Sequence, residues 1–193
     1  MSHRLSAALA AGALALATVA ATAAPAQAGR RTLVDDKRDV IKRVGAGEAK
    51  LAPSNQSADV RRFVTTLTQQ KLVLSTTVRA LPRNYWAMLW QVQTDTGATY
   101  TIDLLKTGGV TFALSTGGVD VPCEAMTKSV NPVKGKVTAV VPLTCLGMPG
   151  AVRAGAGAAA TDRDFGRIFT DDAARTGKIR PDRLRLGRTV KRG

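Results

Sequence analysis

Three side chains bound the chemistry open to this chain of 193 residues: its one histidine, His3, and its two cysteines, Cys123 and Cys145. His3 lies in a stretch that reads as a secretory signal. The exported chain is therefore expected to carry no imidazole for a Ser-His-Asp or Cys-His arrangement, or for a histidine-based zinc or copper site. The cysteines have neither a base to activate a thiolate nor further soft ligands to complete a metal set. Outside the cytoplasm they are expected to pair, and closing a loop of about 22 residues stabilises a fold by roughly 3 kcal/mol on chain-entropy grounds. Glycosidase chemistry needs two carboxyl groups across a cleft, one with a raised pKa. The domain offers Asp95, Asp103, Asp120 and Glu124. Asp95 falls in a turn and Asp103 alternates with apolar residues on an outward face, the pattern of solvated carboxylates. The sequence thus predicts no catalytic residue and no cofactor, and a protein that is not an enzyme.

Binding chemistry is better represented. Sugar-binding sandwiches present flat rings to pyranose faces, which makes Tyr85, Trp86, Trp90 and Tyr100 the carbohydrate candidates. Trp86 and Trp90 fall on one side of one strand, as a two-ring platform requires, but they share it with Met88 and Val92, the composition of a core-facing strand. Tyr85 and Tyr100 are the better placed for exposure. The chain also carries 28 basic and 14 acidic residues, a formal charge of +14 that signal cleavage lowers to +13 by removing Arg4. Such a surplus favours polyanionic neighbours. Arg180, Arg183, Arg185, Arg188, Lys191 and Arg192 cluster at the C-terminus, with Arg30 and Arg31 at the other end. No helix-turn-helix, zinc finger or aromatic RNA-binding strand accompanies them, so sequence-specific nucleic-acid binding is not expected. Outside the cell an anionic wall polymer or polysaccharide is the expected partner, against the plainer alternative of a solvated basic surface with no dedicated ligand.

The elements that must position these groups begin after residue 28. A short basic opening, an Ala- and Leu-rich uncharged stretch over residues 5–24, Pro25 and then Ala26-Gln27-Ala28 make residues 1–28 a cleavable signal peptide. No later segment has the apolar length of a membrane span, so the mature chain is expected to be secreted, without a transmembrane segment, and monomeric. Residues 29–58 are charged and mixed, with one short strand. Residues 59–160 alternate with a period of two, broken at Gln69-Gln70, Asp95-Thr96-Gly97 and Thr107-Gly108-Gly109, which are hairpin turns. Strands also fit residues 119–126 and 137–141, which place the two cysteines so as to staple their ends. Residues 161–193 form a basic segment, either a disordered tail or one that completes an edge strand through Leu184, Leu186 and Val190. Eight or nine strands without a convincing helix predict an all-β, antiparallel, jelly-roll-like β-sandwich, with a closed barrel as the competing architecture.

Asp59-Val60-Arg61-Arg62, Ala80-Leu81-Pro82, the run from Val141-Pro142-Leu143-Thr144-Cys145 through Leu146-Gly147-Met148-Pro149, Val152-Arg153 and the ending Val190-Lys191-Arg192-Gly193 resemble a group of small secreted actinobacterial proteins of unknown function. The resemblance implies a sandwich similar to family-9 carbohydrate-binding modules and DOMON domains, from about Thr32 to the C-terminus. It also implies a calcium position early in the chain, here Asp35 or Asp36 with Asp39, although no oxygen-rich loop of the EF-hand type accompanies them.

Overall fold

The computed structural model describes residues 28–35, 38–175 and 183–193. The expected signal segment up to residue 27, Asp36 and Arg180 lie outside the described residues. Among the described residues fourteen strands follow in chain order: β1 (Gly29–Val34), β2 (Ile41–Val44), β3 (Lys50–Leu51), β4 (Val60–Leu67), β5 (Lys71–Val78), β6 (Trp86–Thr94) and β7 (Thr99–Lys106). After these come β8 (Val110–Thr116), β9 (Val119–Asp120), β10 (Thr127–Asn131), β11 (Lys136–Pro142), β12 (Ala151–Thr161), β13 (Arg167–Asp172) and β14 (Val190–Lys191). Among the described residues the one helical turn is a 3-10 turn, Leu143–Leu146.

The strands form two antiparallel sheets packed as a sandwich. The smaller has the order β1-β4-β5-β11-β10, the larger β3-β2-β13-β12-β6-β7-β8-β9, with β14 pairing to the first residues of β12. Alternation decides which side chains meet between them. On β6, Trp86, Met88, Trp90 and Val92 point inward and are buried, while Ala87, Leu89, Gln91 and Gln93 point out. Facing them from the smaller sheet are Phe63, Leu67, Leu72, Leu74, Val137 and Val141, all in one core. The indole N–H of Trp90, fully buried, donates to Thr76 Oγ1 at 2.8 Å, a bond from one sheet to the other that satisfies this donor inside the core. Asp59, with no exposed surface, is balanced by Arg79 at 2.8 Å, where β4 begins and β5 ends.

The chain departs from the sequence expectation in three places. Residues 29–58 supply three strands, not one: β1 edges the small sheet, and β2 and β3 edge the large one. Residues 119–126 are not one strand. β9 stops at Asp120, and the chain crosses to the other sheet past Pro122, which has no N–H for a ladder, through a turn closed by Met126 N–H on the Cys123 carbonyl (3.1 Å). β13 had no counterpart in the pattern, because Arg167–Asp172 buries its last two residues in succession instead of alternating. Cys123 and Cys145 are bonded, tying the crossing segment before β10 to the 3-10 turn after β11. That bond closes the open end of the β10–β11 hairpin, where Thr127 pairs with Val140. No helix among the described residues is long and apolar enough to cross a membrane.

Candidate functional site

The last strands build the most chemically distinctive surface. β13 runs beside β12 from Ile168, paired with Thr161, to Asp172, paired with Gly157. Ala173 N–H then reaches the Ala156 carbonyl (2.9 Å), and farther along the chain a returning limb, residues 183–187, lies against β12 and gives its Gly187 N–H to the Ala154 carbonyl (2.9 Å) just before β14. Asp172 ties the residues after β13 to this limb. Its Oδ1 accepts from Ala174 N–H (3.1 Å), its Oδ2 accepts from Arg185 N–H (3.0 Å), and the Arg175 guanidinium sits 3.0 Å away. Burial raises the Asp172 carboxyl above the ordinary range, against the pull of those two N–H groups and of Arg175. The returning limb passes so close over β12 that a Cβ on Gly155 would lie 2.6 Å from the Arg185 carbonyl oxygen, so this strand position has to be glycine.

Between that limb and the outer face of the large sheet runs a groove of about 720 Å³, walled by Arg153, Arg175, Arg183 and Arg185 and floored by Gln91, Gln93 and Thr99. It shares Arg153, Arg185 and Leu186 with an adjoining hollow of about 510 Å³ that reaches Arg188 and the buried carboxyl of Asp35. Three of the guanidinium groups are anchored on backbone carbonyls: Arg153 Nε on Gly187 (3.2 Å), Arg175 Nη2 on Arg183 (3.0 Å) and Arg185 Nη1 on Ala174 (3.2 Å). One edge of each fork is fixed in this way, which orients the rest before any ligand arrives. Asp172 balances Arg175; among the described residues Arg153, Arg183 and Arg185 form no ion pair. The arrangement can hold oxyanions.

Of the basic residues singled out in the sequence, Arg183 and Arg185 line the groove and Arg188 the adjoining hollow. Lys191 and Arg192 lie on and just after β14 and line neither. Arg153, Arg175 and the two glutamines escaped sequence reasoning. The only available signal was the outward parity of residues 91, 93 and 153 on their strands, which does not say that β6 and β12 are neighbours.

The carbohydrate candidates separate. Trp86 and Trp90, 4% and 0% exposed, are core residues and can present no ring face to a sugar. Tyr100 points inward at the core margin. Tyr85, half-buried, meets Phe165 edge to face with ring centroids 6.0 Å apart. Together they border a cleft of about 180 Å³ with Leu105 and Ile168.

The early acidic residues also find an unforeseen partner. Asp35 and Asp39 come together with Asp171 of β13, all three buried, with one oxygen of each within 4.8 Å of the others. These carboxylates could hold one hard cation, and the same closeness also suits a shared proton. Asp171 Oδ2 accepts from Val60 N–H (2.8 Å), joining the two sheets. Its pKa is pushed up to about 7, first by burial and then by the charge of Asp39, with the Val60 N–H opposing.

The molecule so described is an antiparallel β-sandwich with an arginine-walled groove on one outer face. No family model, curated protein or solved structure matches the chain.

Proposed function

We propose that this chain is an exported, non-catalytic module that holds an anionic polymer of the cell envelope in the groove beside β12. The observation that carries this reading is the set of arginines brought together there from β12, from the residues after β13 and from the returning limb, three of them oriented by backbone carbonyls. Orientation before binding lowers the ordering cost of capture. Export is supported by the disulfide, a bond that persists in oxidising compartments, and by the signal-like N-terminus. The absence of catalysis is supported by the sole histidine being His3, inside that signal. A sugar site built on exposed aromatics has weaker support, since Trp86 and Trp90 are interior and Tyr100 points inward at the core margin.

The test is retention of the mature protein on immobilised polygalacturonate or polyphosphate. Binding is expected at about 0.05 M salt, with release by about 0.5 M, where the Debye length is only about 4 Å. Combined Arg153→Ala and Arg185→Ala substitutions should weaken retention by about tenfold or more. Retention indifferent to salt and to both substitutions would overturn the proposal.

A further inference from the structure

The groove contains more than cations. Gln93 pairs across the large sheet with Arg153 on one side and Thr99 on the other, so these three form one outward row. The next row runs from Gly155 through Gln91 and Thr101 to Ser115 on β8. Residues directly opposite in antiparallel strands share a face, and neighbouring strands lie about 4.8 Å apart. From Gln91 through Thr101 to Ser115 the second row is therefore a line of amide and hydroxyl groups about 10 Å long, starting beside the arginine wall.

The inventory of donors and acceptors narrows what such a surface fits. Guanidinium groups only donate, which matches a ligand that only accepts, such as phosphate, sulfate or carboxylate. A glutamine amide and a threonine hydroxyl also accept, and that capacity is satisfied only by a ligand that brings hydrogen-bond donors of its own. A polyanion without hydroxyl groups would leave Gln91 and Gln93 half-used when it displaced their water, at a cost in affinity. An acidic glycan satisfies both halves: its charged groups meet Arg153 and Arg185, and its ring hydroxyls exchange hydrogen bonds with the glutamines and Thr101. The length of the row suits a disaccharide-sized segment of such a chain. Resting on the anionic-polymer reading above, we infer that the groove takes an acidic polysaccharide, with its anionic groups on the arginines and its hydroxyls on the Gln91–Gln93 floor.

The experiment compares polygalacturonate, which is anionic and hydroxylated, with polyphosphate, which is anionic without hydroxyls along the chain, and with neutral dextran. All are measured at about 0.15 M salt on wild-type protein and on a Gln91→Ala/Gln93→Ala variant. Both positions are half-buried on an outer face, and an unchanged melting temperature of the variant confirms its fold. Wild type should prefer polygalacturonate to polyphosphate at equal charge. The variant should lose about tenfold in affinity for polygalacturonate, the scale of two lost hydrogen bonds, while its affinity for polyphosphate stays the same. Equal binding of both polyanions, or equal effects of the variant on both, would overturn the glycan inference and leave the anionic-polymer reading standing. Failure of either polyanion to bind at any salt would overturn both. Dextran binding as tight as polygalacturonate would remove the arginines' part in selecting the ligand.

Discussion

Asp103 stands on the outer face of β7 between Leu89 of β6 and Ala113 of β8, so its cross-strand neighbours are apolar. Partial burial raises its carboxyl above the ordinary value of 3.8. A folded-state pKa above the unfolded one means that the folded chain holds the proton more tightly. The stability this provides is complete below about pH 3.8 and is lost as pH rises through the folded value. Asp103→Asn removes the group that must ionise at neutral pH. The variant should match wild type near pH 3 and be more stable near pH 7, by no more than about 0.5 kcal/mol because solvent screens a half-exposed carboxylate. Thermal melts at the two pH values check this, and a variant less stable than wild type at pH 7 refutes it. At this scale the sequence was readable where a residue's own strand determines its surroundings. The parity that puts Trp90 on the side of Met88 and Val92 also puts it in the core. It was unreadable where two distant strands converge: nothing near Asp35 or Asp39 points to Asp171, whose place depends on β13 reaching the start of β4.

Among the elements, β12 carries the most connections, pairing with β6 along nine residues and with β13 and β14 on its other edge. Its run of alanine and glycine is what lets the returning limb lie against its outer face. Leu184 is buried there, with its Cδ2 2.9 Å from where a Cβ on Gly157 would stand. Gly155→Ala sets a methyl group against the Arg185 carbonyl, a backbone atom that cannot rotate away, so the limb must lift. The expected cost is about 1–3 kcal/mol, the range for overpacking a filled site. Because Arg183 and Arg185 ride on that limb, retention on polyanion should fall together with the melting temperature. A variant with normal stability and normal retention would show that the limb does not depend on this contact. β12 itself was legible from Val152, Ala154 and Ala156. Its length and its partners were not, since alanine and glycine carry too little hydrophobic contrast to mark an inward face.

For the whole molecule, the disulfide and the sandwich answer the same problem. A chain of this size with a net charge of +14 repels itself when compact, and its core must offset that repulsion. β10 has no buried residue and is the outer edge of the small sheet, held to the core only through β11. Cys145 follows β11 in the 3-10 turn that buries Leu143 and Leu146, and bonding to Cys123 fixes the chain just before β10 to that anchored turn. The loop closed spans 22 residues, for which loss of unfolded-state freedom is worth roughly 3 kcal/mol. Cys123→Ser/Cys145→Ser should therefore lower the melting temperature by about 6–12 °C. The loss should be localised: amide exchange should accelerate first in β10 and its pairing with β11, while β6 and β12, in the middle of the other sheet, keep their protection. Uniform acceleration across both sheets would mean that the bond supports the sandwich as a whole instead of closing one edge of it. Polyanion retention provides a second readout of the same double substitution, because the arginine groove lies on the outer face of the large sheet, away from β10. Retention per folded molecule should be unchanged, so an equal loss of retention would show the two faces of the sandwich to be mechanically coupled.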